Sequence, residues 1–216
     1  MKKPKAFIVV TRYKENLDWL PKLTDNYIVY NKGEEVPGIK QKMVPNFGSN
    51  QYDIFSYIYE NYDNLPDLMA FLQGDPYDHC LPERFDSLIY SKEYTPLFGD
   101  KNYPDGNYFE DNNSWYIHSH YYTHGIDCVY SSFDEYAHSI FEDYSHEPIL
   151  VFPPGSQIIV EKERCLFYSR NFWKTLMDKF PTDIFPENST SKVRTEAYII
   201  ERSIKLIFDN KFKEKI

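Results

Sequence analysis

Two carboxylates and an imidazole, Asp75, Asp78 and His79, close the stretch "MAFLQGDPYDHC" at residues 69–80. An apolar run stopped by Gly74 and Pro76 reads as a central strand entering a tight turn. The acids then sit at the strand's carboxyl end, the edge at which open α/β sheets bind ligands. Oxygen donors this close together suit Mg²⁺ or Mn²⁺, ions that such sites share with phosphates and water. A divalent ion there would neutralise a diphosphate and help it leave. A plainer reading of the same residues is that Asp75 and Asp78 cap the turn and the helix that opens at Pro82.

Two other stretches carry reactive residue types. "TRYKE", Thr11 to Glu15, puts cations and an aromatic at the end of the first strand, a natural place for a base and phosphates, or simply a solvated junction. His118, His120 and His124 in "HSHYYTHG" have the ligand type for zinc but neither Cys partners nor a helical HExxH frame, so they read as loop histidines lining a polar cleft. The sequence contains no GxGxxG or Walker-type loop and no GxSxG elbow, which sets aside dinucleotide chemistry, P-loop hydrolysis and serine hydrolysis.

The elements that must position these residues alternate. "KAFIVV" is a buried strand, "KENLDWLPKL" a short helix with Leu17, Trp19 and Leu20 inward, and "NYIVYNKG" a second strand, which together begin a parallel sheet. "NQYDIFSYIYENYDNL" carries Ile54, Phe55, Ile58, Tyr59 and Tyr62 on one helical stripe and leads into the strand "DLMAFLQ". "PERFDSLIY" is a helix opened by proline. Residues 91–125 follow neither period and read as an irregular functional insertion. Regularity returns with "IDCVY", with a helix "SSFDEYAHSIFEDY" whose Ser132 and Glu135 form a capping box, and with the strands "PILVF" and "SQIIV". Two more helices follow, "EKERCLFYSRNFWKTLMDKF" and "TEAYIIERSIKLIF".

With 216 residues and no Pro- or Gly/Ser-rich linker, the chain reads as one α/β domain over residues 1–216. A net charge of -9 without a basic block argues against a nucleic-acid binder, so any phosphate should be small and locally recognised. Cys80, Cys128 and Cys165 are widely spaced and read as reduced thiols of a cytoplasmic chain. "MKKPKAFIVVTRYKE" is too short in its apolar part for a signal peptide, and no run has membrane-spanning length. The glycosylation patterns at Asn112 and Asn188 are then chance matches.

Six ordered blocks, "VVTRYKENLDWL", "YNKG", "PNFGSNQYDIFSYI", "NYDNLPDLMAFLQGDPYDH", "GSQIIVEKERCLFYSRNFW" and "ERSIKLIF", together resemble a family of GT-A-like glycosyltransferase domains. The resemblance runs from about Phe7 to Phe208 and includes domains of chlorella viruses that act on major capsid protein glycans. It implies a mixed central sheet flanked by helices, a Mn²⁺ (or Mg²⁺) cofactor, a UDP-sugar donor and a glycan or glycoprotein acceptor. The family's DxD-like element falls on Asp75 and Asp78, with Asp78 on the metal and Asp75 on the metal, ribose or donor sugar. Thr11, Arg12 and Tyr13 fall near uridine and Lys32 near phosphate, while Asn46 and Gly48 match the turn before the second long helix. The chain departs from the family at Ser49 and Asn50, where Arg and Glu are more frequent.

Transfer of a hexosyl unit, L-rhamnose or glucose, with inversion needs a carboxylate as general base on the face opposite the leaving group. Glu161, at the end of the strand "SQIIV", and Glu163, in the family block, are the expected bases, with Glu201 of the last helix a third carboxylate that can equally pair with Arg202. Gln157 could bond sugar hydroxyls, and Trp115, Tyr121 and Tyr122 could stack on an acceptor sugar. Two readings from other classes use the same residues: a metal-dependent phosphohydrolase built on Asp78, His79 and the insertion histidines, and a non-catalytic glycan-binding module.

Overall fold

Three apolar runs, "FIVVTR", "YIVYN" and "LMAFLQ", become β1 (Phe7–Arg12), β2 (Tyr27–Asn31) and β4 (Leu68–Gln73). A computed structural model describes residues 3–46, 48–99, 106–112, 130–180 and 195–215. His118, His120, His124, Trp115, Tyr121, Tyr122, Cys128, Asn188 and most of "IDCVY" lie outside the described residues. The chain is mixed α/β. Six strands form one sheet in the order β3–β2–β1–β4–β8–β5, where β3 is Gln41–Met43, β5 is Thr95–Pro96 and β8 is Ile158–Glu161. The first four strands of that order are parallel, and β8 runs antiparallel to both of its neighbours. β6 (Tyr108–Asp111) and β7 (Ile149–Phe152) pair separately as an antiparallel ribbon.

Both faces of the sheet are covered, which is why its central strands read as continuous apolar runs rather than as alternation. Ile8, Val10, Ala70, Leu72 and Ile159 point to one face, against Leu17, Leu20, Phe85 and Ile89 around α1 (Leu20–Leu23) and α3 (Pro82–Leu88). Their alternates Val9, Met69, Phe71, Ile158 and Val160 point to the other face and a larger core. That core is built on α2 (Asn50–Glu60), α4 (Phe133–Ile140), α6 (Arg170–Asp178) and α7 (Thr195–Phe208), with fully buried Trp173 lying 5.9 Å from the Phe55 ring and 5.8 Å from that of Phe208.

The expected elements differ from the structure in four places. The first helix is a single turn, Leu20–Leu23, because Pro21 sits in its first turn and Thr24 is extended. The expected long helix "EKERCLFYSRNFWKTLMDKF" divides into α5 (Lys162–Leu166) and α6, since Ser169 is extended and its side chain accepts from Phe172 N–H, starting a new helix. Part of the 91–125 insertion is ordered as β5 and β6, strands of two and four residues that are too short to show a period. β3 is a three-residue edge strand, Lys42 and Met43 exposed and Gln41 partly buried, too short to show an apolar period. The Ser132 cap of α4 forms as expected, accepting from Glu135 N–H at 3.1 Å, while the Glu135 carboxylate reaches one residue further back, to Ser131.

Candidate functional site

β2 and β3 lie on one side of β1, and β4 lies on the other. The chain therefore reverses its direction of travel across the sheet between β1 and β4, and the carboxyl ends of those two strands frame the crevice where such folds take ligands. A cleft of about 330 Å³ opens there. Its walls bring together Thr11, Arg12, Tyr13, Lys32, Asn46, Gly48, Asp75 and Asp78, eight of the expected site residues, from four separate segments. Glu15, Ser49, Asn50 and Gln73 also line it. Glu15 and Gln73 were legible as neighbours of residues already singled out, one closing "TRYKE" and the other ending β4.

The electrostatics of the cleft turn on which cations are already matched. The Lys32 ammonium is buried and meets the Asp53 carboxylate at 3.0 Å, and it also donates to the Gly48 and Ser49 carbonyls at 3.3 and 3.1 Å. Burial pushes the Asp53 carboxyl up to about 6, against the opposing pull of Lys32 and of the Thr11 hydroxyl. Lys32 thus clamps the turn before α2 and lines the cleft with its charge already matched by Asp53. Arg12 is different: its guanidinium donates to the Glu15 and Glu34 carbonyls and to Asn31 Oδ1, all neutral, and keeps its full charge.

Three carboxylates share the cleft walls with Arg12. Glu15 Oε2 accepts from the Tyr13 and Lys14 backbone N–H groups at 2.7 and 3.0 Å. Gly74 lets it come this close, because a Cβ there would stand 2.7 Å from that same oxygen. Asp75 turns one oxygen back to Tyr77 N–H at 3.0 Å, and Asp78, with 64% of its side chain exposed, lies 3.3 Å from His79 Nε2. The plainer reading of Asp75 as a turn cap is thus real, but Asp75 also lines the cleft, so the two roles coexist.

The turn itself is braced from behind. Trp19 Nε1 donates to the Gly74 carbonyl at 2.9 Å, Gln157 Nε2 donates to the Pro76 carbonyl at 3.1 Å, and Gln157 Oε1 accepts from Gln73 N–H at 3.1 Å. Gln157 is fully buried. It holds the acidic turn in place and does not reach a sugar hydroxyl, a correction to its expected role, since its two amide ends are directed at backbone.

Among the described residues no group of three or more His, Cys, Asp or Glu side chains is arranged to hold a metal ion. The donor set of the acidic turn fits a hard divalent ion all the same: two carboxylates, one of them widely exposed, with room beside them for phosphate oxygens and water to complete the shell.

The expected bases fall elsewhere. β8 runs antiparallel to β4 and its register pairs Glu161 with Leu68, the first residue of β4. Glu161 therefore lies at the opposite edge of the sheet, roughly 16 Å of strand from the acidic turn at about 3.3 Å per residue. There it pairs with Arg164 at 3.1 Å. Glu163 follows in α5, whose first N–H, that of Lys162, bonds Asp67 just before β4, so it too belongs to the amino edge. A strand end in the sequence carries no direction, and the placement of Glu161 depended on that direction. Glu201 lies behind the cleft and accepts from Gly155 N–H at 2.7 Å.

Comparison of the chain with known protein families, with curated proteins and with solved structures found no match. No described helix is long and apolar enough to cross a membrane.

Proposed function

We propose that the protein is a metal-dependent glycosyltransferase of GT-A type that moves a hexosyl unit from a UDP-sugar to a glycan or glycoprotein acceptor, with inversion. The observation that carries this reading is the charge pattern of the β1/β4 crevice: Glu15, Asp75 and Asp78 line it with Arg12, and Lys32 is neutralised by Asp53. An anionic nucleotide meets net repulsion in such a cleft unless a cation bridges it to the carboxylates. A DxD-like pair at a parallel strand end, with an aromatic and a cation at the end of the adjoining strand, supports a nucleoside diphosphate over a simple phosphoester.

Asp75 and Asp78 would hold Mn²⁺ or Mg²⁺, which supplies charge neutralisation to the departing diphosphate. Arg12 adds a second, fixed positive charge on the other side of the crevice. Tyr13 offers a ring to the uracil, and the amides of Asn46 and Asn50 offer neutral hydrogen bonds to hydroxyls. Inversion needs a base on the face opposite the diphosphate, and Glu161 and Glu163 lie at the far edge of the sheet.

The test is calorimetric titration with UDP, GDP and CMP, with and without Mn²⁺. UDP binding that requires Mn²⁺ is the expected result. Absence of UDP binding alongside clear oligosaccharide binding would replace the reading with a glycan-binding module, and fast phosphoester turnover without sugar transfer would replace it with a phosphohydrolase.

A further inference from the structure

The short turn Pro154–Ser156, which joins β7 to β8, is held in an uncommon conformation, with φ of 75° at Gly155 and 51° at Ser156. Gly155 cannot be replaced there without a collision, because a Cβ would stand 2.4 Å from His79 Cδ2 and 3.3 Å from Gln73 Nε2. The turn is therefore seated directly under the acidic turn and the end of β4. Its polar groups tie it to two helices, α2 and α7. Ser156 Oγ accepts from Gln51 Nε2 at 2.8 Å, in the first turn of α2. The Gly155 carbonyl accepts from Asn50 Nδ2, and the Gly155 N–H donates to Glu201 Oε1 of α7 at 2.7 Å. Asn50 is a wall residue of the cleft, whereas Glu201 is not.

We infer that Glu201 is a positioning residue of the cleft, acting through the Gly155 backbone to fix the Asn50 side-chain amide in the orientation that a bound nucleotide sugar meets. The physical reason is that one residue carries both bonds. With Gly155 seated under His79 at φ 75° and ψ -4°, the direction of its N–H sets the direction of its carbonyl, and the carbonyl holds the Asn50 Nδ2 end. Anchoring by a carboxylate makes the first bond the strong one of the pair. Holding Nδ2 on the carbonyl leaves Asn50 Oδ1 and the second N–H for a ligand. The assignment rests on the reading of this cleft as a UDP-sugar site for what the amide recognises, but not for the linkage itself.

Titration of the anchor gives the linkage a readout of its own. Burial pushes the Glu201 carboxyl up to about 7, opposed by Arg202 and by the Gly155 N–H and reinforced by Glu110. The surroundings that can perturb it are few among the described residues. Arg202 Nη1 is 4.0 Å away on the same helix, and Arg202 Nε is itself tied to Glu110 of β6 at 2.6 Å. His79 lies beyond Gly155, and Asp53 of α2 faces Lys32. Tyr136 of α4 meets Ser203, and neither β7 nor the 154–156 turn carries a titratable side chain.

Two measurements on the full chain test this. In NMR titration without ligand, the Gly155 backbone amide and the Asn50 side-chain amide should shift together with one midpoint near neutrality, and in Glu201→Gln neither should move at that midpoint, which separates Glu201 from His79. In calorimetry with UDP and Mn²⁺, Glu201→Ala and Asn50→Ala should each weaken binding about tenfold, the double variant no more than either alone, and Glu201→Gln should stay near wild type because its amide oxygen still accepts from Gly155. Losses that multiply to about a hundredfold, or an Asn50 amide that stays still while Gly155 titrates, would overturn the inference. A wild-type protein that binds no UDP would sink the donor reading instead, and the shared titration alone would then decide the linkage.

Discussion

The two edges of the central sheet are built from similar residue types and reach opposite electrostatic ends. At the amino edge, Glu161 meets Arg164, whose guanidinium also donates to the Phe208 carbonyl at 2.7 Å, while Asn210 donates to the Arg164 carbonyl at 2.9 Å. Around Glu161, carboxylate, cation and helix ends close on one another, while a separate cleft of about 640 Å³ at this edge is lined by Lys5, Asp67 and Lys92. At the carboxyl edge, the buried Lys32–Asp53 pair is likewise closed, but Glu15, Asp75 and Asp78 line the same cleft with Arg12 as the one other cation among its described wall residues. Acidic side chains are found at both edges, so their presence does not mark a site. What marks it is charge that the protein leaves for something else to match.

The largest expected effect comes from opening the closed pair behind the cleft. Asp53→Ala leaves the Lys32 ammonium buried without its counter-charge, which should cost about 3–5 kcal/mol in chemical denaturation and release the turn at Gly48 and Ser49. A loss below about 1 kcal/mol would mean that Lys32 reaches water when unpaired and that the clamp is not a structural pair.

Next in size is a pH dependence. Glu201 has a folded-state pKa of about 7 against an ordinary 4.5, so the folded chain binds that proton more tightly than the unfolded chain does. Its contribution to stability is fully present below the ordinary value and is lost as pH rises through about 7. The loss is on the order of 3 kcal/mol. Denaturation midpoints measured between pH 5 and 8 should fall in the wild type and fall less steeply in Glu201→Gln, where the raised Asp53 carboxyl still contributes the part near pH 6. Equal slopes in the two proteins would remove Glu201 as the cause.

Asp78→Asn tests the open charges directly. Mn²⁺-dependent UDP affinity should drop at least about tenfold, because a neutral amide is a poor ligand for a hard cation. Stability should move by only about 0.5 kcal/mol or less, since the side chain is exposed. Unchanged affinity and Mn²⁺ dependence would reduce the acidic turn to a cap. The smallest effect belongs to the amino edge: Glu161→Gln should leave UDP affinity and sugar transfer as they are and cost about 1 kcal/mol or less, as partly exposed ion pairs do. A collapse of transfer in Glu161→Gln would return the catalytic base to that residue and erase the distinction between the edges.

Local sequence determined a good deal of this molecule. The apolar runs of β1, β2 and β4, the stripe on α2, the Ser132 cap and the strand that stops in acids were all legible, because each depends on the spacing of side chains over a few residues. The convergence of Thr11, Arg12, Asp75 and Asp78 was legible as well, since parallel strands deliver their carboxyl ends to one edge. Tertiary structure alone decided the rest. The antiparallel entry of β8 carried Glu161 to the edge opposite the cleft, and burial made Lys32 and Gln157 braces of the turns beside it. The link from Glu201 to Asn50 joins residues about 150 positions apart through a backbone group, and backbone hydrogen bonds leave no mark on the identity of the residues that make them.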